Sequence, residues 1–166
     1  MTSKWPLSVL ALGLASILII VPVFAQAERG KAELSTGSGS INVDYGRPSL
    51  QGRDPLSLQQ DGSYWRMGKD EATTLTTPVD LSFGAAKIAK GSYTLQLLKT
   101  SANSYELVFK PKSGQGSDVT KVALKKTAAP ASVELFTIEL KQASSGGTFV
   151  LTWGTAQLAA DFRIGK

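Results

Sequence analysis

The chain has 166 residues, with 18 Lys plus Arg against 13 Asp plus Glu, a net charge of +5, and neither His nor Cys. That length suits one domain, with or without a targeting segment. The two missing residue types exclude a Ser-His-Asp or Cys-His nucleophile, a zinc finger, a His-based catalytic zinc site and any disulfide.

Lys4 is the only charged side chain before Glu28. An apolar run from Leu7 to Val21 leads through Pro22 into Val23-Phe24-Ala25-Gln26-Ala27. A positive start, an apolar segment of about 15 residues and small residues behind it predict a secretory signal peptide, cut after Ala25 or after Ala27. Pro22 ends the apolar helix and leaves the following residues extended for a protease. Left uncut, the uncharged span would just serve as an anchor, which needs about 20 residues. The chain therefore divides into a signal peptide over 1–25, a lead over 26–40 and one domain over 41–166. The expected location is the periplasm or the extracellular medium, with membrane contact only through an uncleaved N-terminus. Removing Lys4 with the signal leaves a net charge of +4. The lysines are spread from Lys87 to Lys141 without a concentrated basic face, which argues against nucleic acid as a partner.

Glu28 to Ser40 is polar, rich in Gly and Ser and without a period, so it reads as a flexible lead. From Ile41 a two-residue alternation begins. Ile41, Val43 and Tyr45 share one face, as do Val79, Leu81 and Phe83, then Tyr93, Leu95 and Leu97, then Tyr105, Leu107 and Phe109. Phe136, Ile138 and Leu140 follow, then Phe149, Leu151 and Trp153, and last Leu158, Ala160, Phe162 and Ile164. This pattern predicts an all-β fold of about eight one-faced antiparallel strands. A two-sheet β-sandwich would bury them. Gly91 and Gly146-Gly147 mark tight connections. Pro78 and Pro111 bracket strands, where a missing N–H costs no ladder bond.

Residues 44–77 break the alternation. Between Ala32 and Phe162, arginine occurs only at Arg47, Arg53 and Arg66, all inside this segment, whereas the basic residue elsewhere in that span is lysine. Arginine suits fixed, bidentate or stacked contacts. Two readings follow. Asp44, Asp54, Asp70 and Glu71 can pair with the arginines in a network that pins a long connection. Alternatively, arginines face a cleft and hold an anionic or sugar-like ligand, with Tyr45 or Trp65 as a stacking platform. On an extended strand Trp65 and Met67 point to the core, and Arg66 shares the side of Tyr64. The bend allowed by Gly68 predicts a partly buried Arg66–Glu71 pair.

Several of these strings resemble a known family. Val43-Asp44-Tyr45-Gly46-Arg47-Pro48-Ser49-Leu50, Gly52-Arg53, Trp65-Arg66-Met67-Gly68 and Glu71-Ala72-Thr73 are similar to the motifs of an exported bacterial family catalogued as domain of unknown function 2911. Ile88-Ala89-Lys90-Gly91-Ser92-Tyr93 resembles that family's hairpin, and Val133 to Phe136 and Leu151-Thr152-Trp153 also fit. The chain departs from the family pattern in the polar Pro55-Leu56-Ser57-Leu58-Gln59-Gln60 stretch, at Asp70 where the family usually has asparagine, and in a shortened stretch after Phe109. The resemblance implies an exported β-rich domain and brings no established activity.

The function expected from these observations is that of a non-catalytic exported domain that binds an envelope or extracellular ligand, such as a glycan or an anionic small molecule, or that supports an envelope structure. The candidate binding residues are Tyr45, Arg47, Arg53, Trp65, Arg66 and Glu71. The rival reading is a carboxylate-dependent hydrolase of glycans using Asp70 and Glu71. Neighbouring residues on a strand face opposite ways, so that pair is poorly placed to flank one bond. No cofactor is implied. Gly114-Gln115-Gly116-Ser117-Asp118 reads as a surface hairpin loop, because a single Asp does not make a calcium site.

Overall fold

The computed structural model describes Met1, residues 29–112 and residues 119–165. The expected signal segment and the loop at 114–118 lie outside the described residues. Among the described residues, no helix is long and apolar enough to cross a membrane.

The fold is all-β and antiparallel. In chain order the elements are β1 (Arg29–Thr36), β2 (Gly39–Gly46), α1 (Pro55–Leu58), β3 (Tyr64–Trp65), β4 (Thr74–Thr77), β5 (Leu81–Phe83), β6 (Ala86–Ile88), β7 (Gly91–Ser101), β8 (Ser104–Pro111), β9 (Thr120–Ala143) and β10 (Gly146–Ile164). They join in the order β1-β2-β4-β7-β8-β9-β10-β5-β6, and β3 pairs with β7.

Residues 29–36 correct the expectation of a flexible lead. Gly30, Ala32 and Leu34 turn inward while Lys31, Glu33 and Ser35 face solvent. Leu34 sits opposite Ile41 and Ala32 opposite Val43. The period of two was present but hidden by small inward residues. Gly30 is small for a reason: a Cβ there would lie 2.5 Å from the Tyr45 ring.

The last three expected strand segments fall on two long strands, Phe136–Leu140 on β9 and the other two merged in β10. β9 and β10 pair along their lengths, but their register slips around Gly154. Val133 opposes Gly154 and Ala128 opposes Ala156, so β9 bulges outward between them. Gly154 adopts φ +61°, a conformation that glycine takes without steric cost. Pro130 lies in the bulge, where its missing N–H removes no ladder bond. The bulge also frees β9 backbone for another partner. Leu50 N–H donates to the Glu134 carbonyl at 3.0 Å, and Phe136 N–H donates to the Pro48 carbonyl at 2.9 Å. The connection after β2 is thereby stitched onto β9.

One apolar cluster contains residues from strands at both ends of the sheet order. Phe83 of β5 lies 5.5 Å from Phe109 of β8, and Tyr45 of β2 meets Phe136 of β9 edge-on at 5.7 Å. Neither pair consists of sheet neighbours, so the sheet folds over its own inner face.

Candidate functional site

The connection between α1 and β3 is held by side chains from below. Asp54 caps α1 by accepting from the Ser57 N–H at 3.3 Å, and Pro55 supplies the preset φ of a first helical position. Leu56 is buried in the core, and its carbonyl accepts from the Tyr105 hydroxyl at 3.0 Å. Lys99, only 6% exposed, donates to the Gln59 carbonyl at 2.6 Å and the Ser57 carbonyl at 3.3 Å. Its ammonium also lies 3.5 Å from Asp61. Two backbone bonds to β7 close the connection: Gly62 N–H to the Lys99 carbonyl and Lys99 N–H to the Ser63 carbonyl. A buried ammonium is tolerated here because several oxygens surround it.

This stapled connection and the Pro48-Ser49 stitch form two walls of a cleft of about 400 Å³. Pro48 and Ser49 come from the stitch, Pro55, Leu58 and Gln59 from the α1 region, Tyr64 and Trp65 from β3, and Trp153 from β10. Arg53 completes the lining and is its one charged residue. Trp65 and Trp153 stack with ring centroids 5.1 Å apart and planes 14° from parallel. The Phe136 ring meets both edge-on, at 4.9 and 5.6 Å, which fixes the indoles in place. Leu58, at 69% exposed, and Tyr64, at 50%, are among the few large apolar side chains turned to solvent, and both belong to this cleft. Arg53 is exposed. Its Nη2 donates to the Gln51 side chain at 3.2 Å, its Nε bonds weakly to the Leu50 carbonyl at 3.4 Å, and no ion pair engages it among the described residues. Two buried polar atoms on lining residues, Trp153 Nε1 and Gln59 Oε1, have no hydrogen-bond partner among the described residues.

Of the six candidate residues, the structure brings Arg53 and Trp65 together in this cleft. The others go elsewhere. Tyr45 is a core residue, 3% exposed, whose hydroxyl donates to the Ile138 carbonyl at 3.1 Å, so it offers no open ring face. Arg47 is half-buried on the connection after β2. Arg66 is exposed and follows Trp65 outside the lining, while Met67 is fully buried from a bend beyond the end of β3, not from the continuing strand that the sequence suggested. Glu71 is also exposed.

The partly buried Arg66–Glu71 pair does not form. Glu71 instead lies 3.5 Å from Arg29, whose guanidinium also bonds Asp44 through Nε at 2.6 Å and through Nη2. Arg29 reaches both carboxylates because β1 runs beside β2, an arrangement hidden as long as residues 26–40 read as unstructured. Asp70 and Glu71, the carboxylates of the hydrolase reading, both stand outside the cleft lining.

The motif residues around Arg66 have a packing role. A Cβ on Gly46 would lie 2.4 Å from the Lys69 carbonyl oxygen, and one on Gly68 would lie 3.1 Å from the Gly46 nitrogen. The Tyr45-Gly46 and Met67-Gly68-Lys69 segments therefore touch backbone to backbone. Thr73 locks this crossing by donating to the Met67 carbonyl at 2.5 Å.

Sequence reasoning missed Trp153 as a site residue, because its alternation with Leu151 marks it as core, and it is only 6% exposed. It missed Leu58 and Gln59 because nothing local shows which side of a short connection faces a cleft.

No curated protein and no solved structure matches the chain. A family described as "Protein of unknown function (DUF2911)" matches residues 27–162, well over half of the sequence. The match takes in both the stitched arginine segment and the strands that carry the two indoles, and on this ground the chain belongs to the DUF2911 family.

Proposed function

We propose that this protein is an exported, non-catalytic β-sandwich domain that binds an envelope or extracellular ligand in the cleft walled by Trp65 and Trp153. One observation carries the reading: an aromatic, mostly apolar cleft with a single exposed guanidinium, whose walls are stapled in position before any ligand arrives. Concave apolar sites with a few convergent polar groups are the usual form of small-ligand sites. Preorganised walls reduce the ordering cost of binding. The sandwich reading is supported by the contacts through the core between strands that are not neighbours in the sheet. Export is supported by the N-terminal sequence.

The test is an equilibrium binding screen of envelope glycans and acidic small molecules, using the full chain expressed with its N-terminus and recovered from the envelope or medium. Binding that quenches indole fluorescence and is weakened by Leu58→Ala or Trp65→Phe supports the reading. A folded protein that binds none of the panel refutes it. N-terminal sequencing of the recovered protein is expected to read from Gln26 or Glu28.

A further inference from the structure

Resting on the cleft as the ligand site, the chemistry of its lining narrows what it holds. We infer that the cleft takes a six-membered ring bearing a carboxylate, with the ring against the aromatic wall and the carboxylate on Arg53. Three features lead there.

The first is charge. Arg53 is the one charged residue of the lining, and no Asp or Glu belongs to it. Two of its N–H groups are engaged, one with the Gln51 side chain and one weakly with the Leu50 carbonyl. A guanidinium carries five donors, so three remain for a ligand, enough for a bidentate carboxylate contact. One guanidinium balances one negative charge. A phosphate monoester carries between one and two at neutral pH, and no second cation stands in the lining to meet it.

The second feature is shape. About 400 Å³ lies at the lower end of the roughly 300–1,000 Å³ found for small-molecule sites, which suits one or two rings. Trp65 is partly exposed and backed by the parallel Trp153, so its ring is held rigidly. A ring with an apolar face buries it well against an aromatic surface held in this way.

The third is unmet hydrogen bonding. Trp153 Nε1 is a buried donor and Gln59 Oε1 a buried acceptor, both on lining residues and both without a partner among the described residues. Such atoms in a folded protein call for a partner. Ring hydroxyls, which both donate and accept, are the groups that match this donor and this acceptor.

A ring with a carboxylate arises either at the acidic end of a glycan or in an aryl acid, and the test separates the two. The probes are methyl galacturonide, which has one ring and one carboxylate, its methyl ester and 2-naphthoate, titrated calorimetrically into the full chain while the indole N–H signals of Trp65 and Trp153 are followed by NMR. One or both acids are expected to bind and to shift both indole signals. If methyl galacturonide is the acid that binds, its ester should bind about tenfold more weakly or worse. Arg53→Gln, an exposed change that does not threaten the fold, should weaken the acid to the level of its ester. For 2-naphthoate the same variant should weaken binding by a similar factor. A preference for methyl galacturonide assigns the site to glycans, and a preference for 2-naphthoate assigns it to aryl acids. Equal binding of acid and ester with both indoles shifted overturns the charge assignment while leaving the cleft as the ligand site. An acid affinity unchanged by Arg53→Gln overturns it too, as does a lack of binding by both acids; in that last case the wider ligand screen still decides the parent reading.

Discussion

Lys99 shows how one side chain can position a whole wall. It sits in β7, yet its ammonium serves the backbone of residues 57–59, which the sheet itself does not reach. Lys99→Met keeps the apolar stem and removes the charge, leaving two carbonyls without their donor. Loss of hydrogen bonds to a buried charge should cost about 2–3 kcal/mol, read as a lower midpoint in denaturant unfolding. The indole signals of Trp65 and Trp153 should broaden as the wall loosens. Arg66 and Glu71 give the opposite expectation. Arg66 is exposed, and the Glu71 side chain is 79% exposed and meets Arg29 at 3.5 Å in an ion pair open to solvent. Arg66→Ala and Glu71→Ala should each change stability by no more than about 1 kcal/mol, and the double variant should equal their sum within error. A loss well above that for either single variant would show a pairing that the geometry does not contain.

At the scale of elements, the design rests on where backbone meets backbone. The crossing of the Tyr45-Gly46 and Met67-Gly68-Lys69 segments leaves no room for a methyl group, because the atoms nearest to Gly46 are the main-chain nitrogen and oxygen of Lys69. Met67 and Asp70 hold φ of +56° and +64°, so the segment is already in a conformation that side-chain-bearing residues seldom adopt. A Gly46→Ala change must push this backbone aside. The expected cost is about 3 kcal/mol or more, at the upper end of overpacking effects. Thermal unfolding would measure it, and a near-wild-type melting temperature would show the crossing to be looser than drawn. The β9 bulge is the second such device. It gives up ladder bonds around Gly154 and uses the freed backbone to hold Pro48 and Leu50, so the same distortion that bends the sheet also builds one side of the cleft.

For the whole molecule, two buried tyrosines set an upper limit on the pH range of stability. Burial raises the Tyr105 hydroxyl above its ordinary value of 10.0, and Asp54 and Asp61 add to the shift. Burial likewise raises Tyr93, with a smaller push from Asp80. Both hydroxyls donate to carbonyls in their neutral form, Tyr105 to Leu56 and Tyr93 to Ala89. A group whose folded value lies above its unfolded value contributes full stability below the unfolded value and loses it as pH rises through the folded one. Stability should therefore hold up to about pH 10 and fall above it. The lysines titrate in the same range, so the comparison that isolates the effect is Tyr105→Phe. That variant should be less stable at neutral pH, by about 1 kcal/mol for the lost hydrogen bond, and its stability should fall less steeply above pH 10. Equal alkaline slopes for the variant and the wild type would remove Tyr105 as the cause.

Strand faces such as Leu95-Leu97 and Phe149-Leu151 were legible in the sequence because burial of one side of a sheet forces a two-residue period, which depends only on neighbours along the chain. The family motifs were legible for a related reason: the backbone crossing admits only glycine at Gly46 and is tight at Gly68. The sequence alone thus determined the all-β antiparallel class, the family, and Arg53 and Trp65 as residues worth watching. It left β1 unseen, because Gly30 and Ala32 face the core with almost no apolar area. It did not show that Asp44 and Glu71 answer to Arg29 across a strand pairing. Nor did it show Trp153, about a hundred positions from Arg53, closing the same cleft. Those outcomes belonged to the tertiary structure, since which side chains meet across a folded sheet depends on register, bulges and loop staples, and no local period in the chain encodes them.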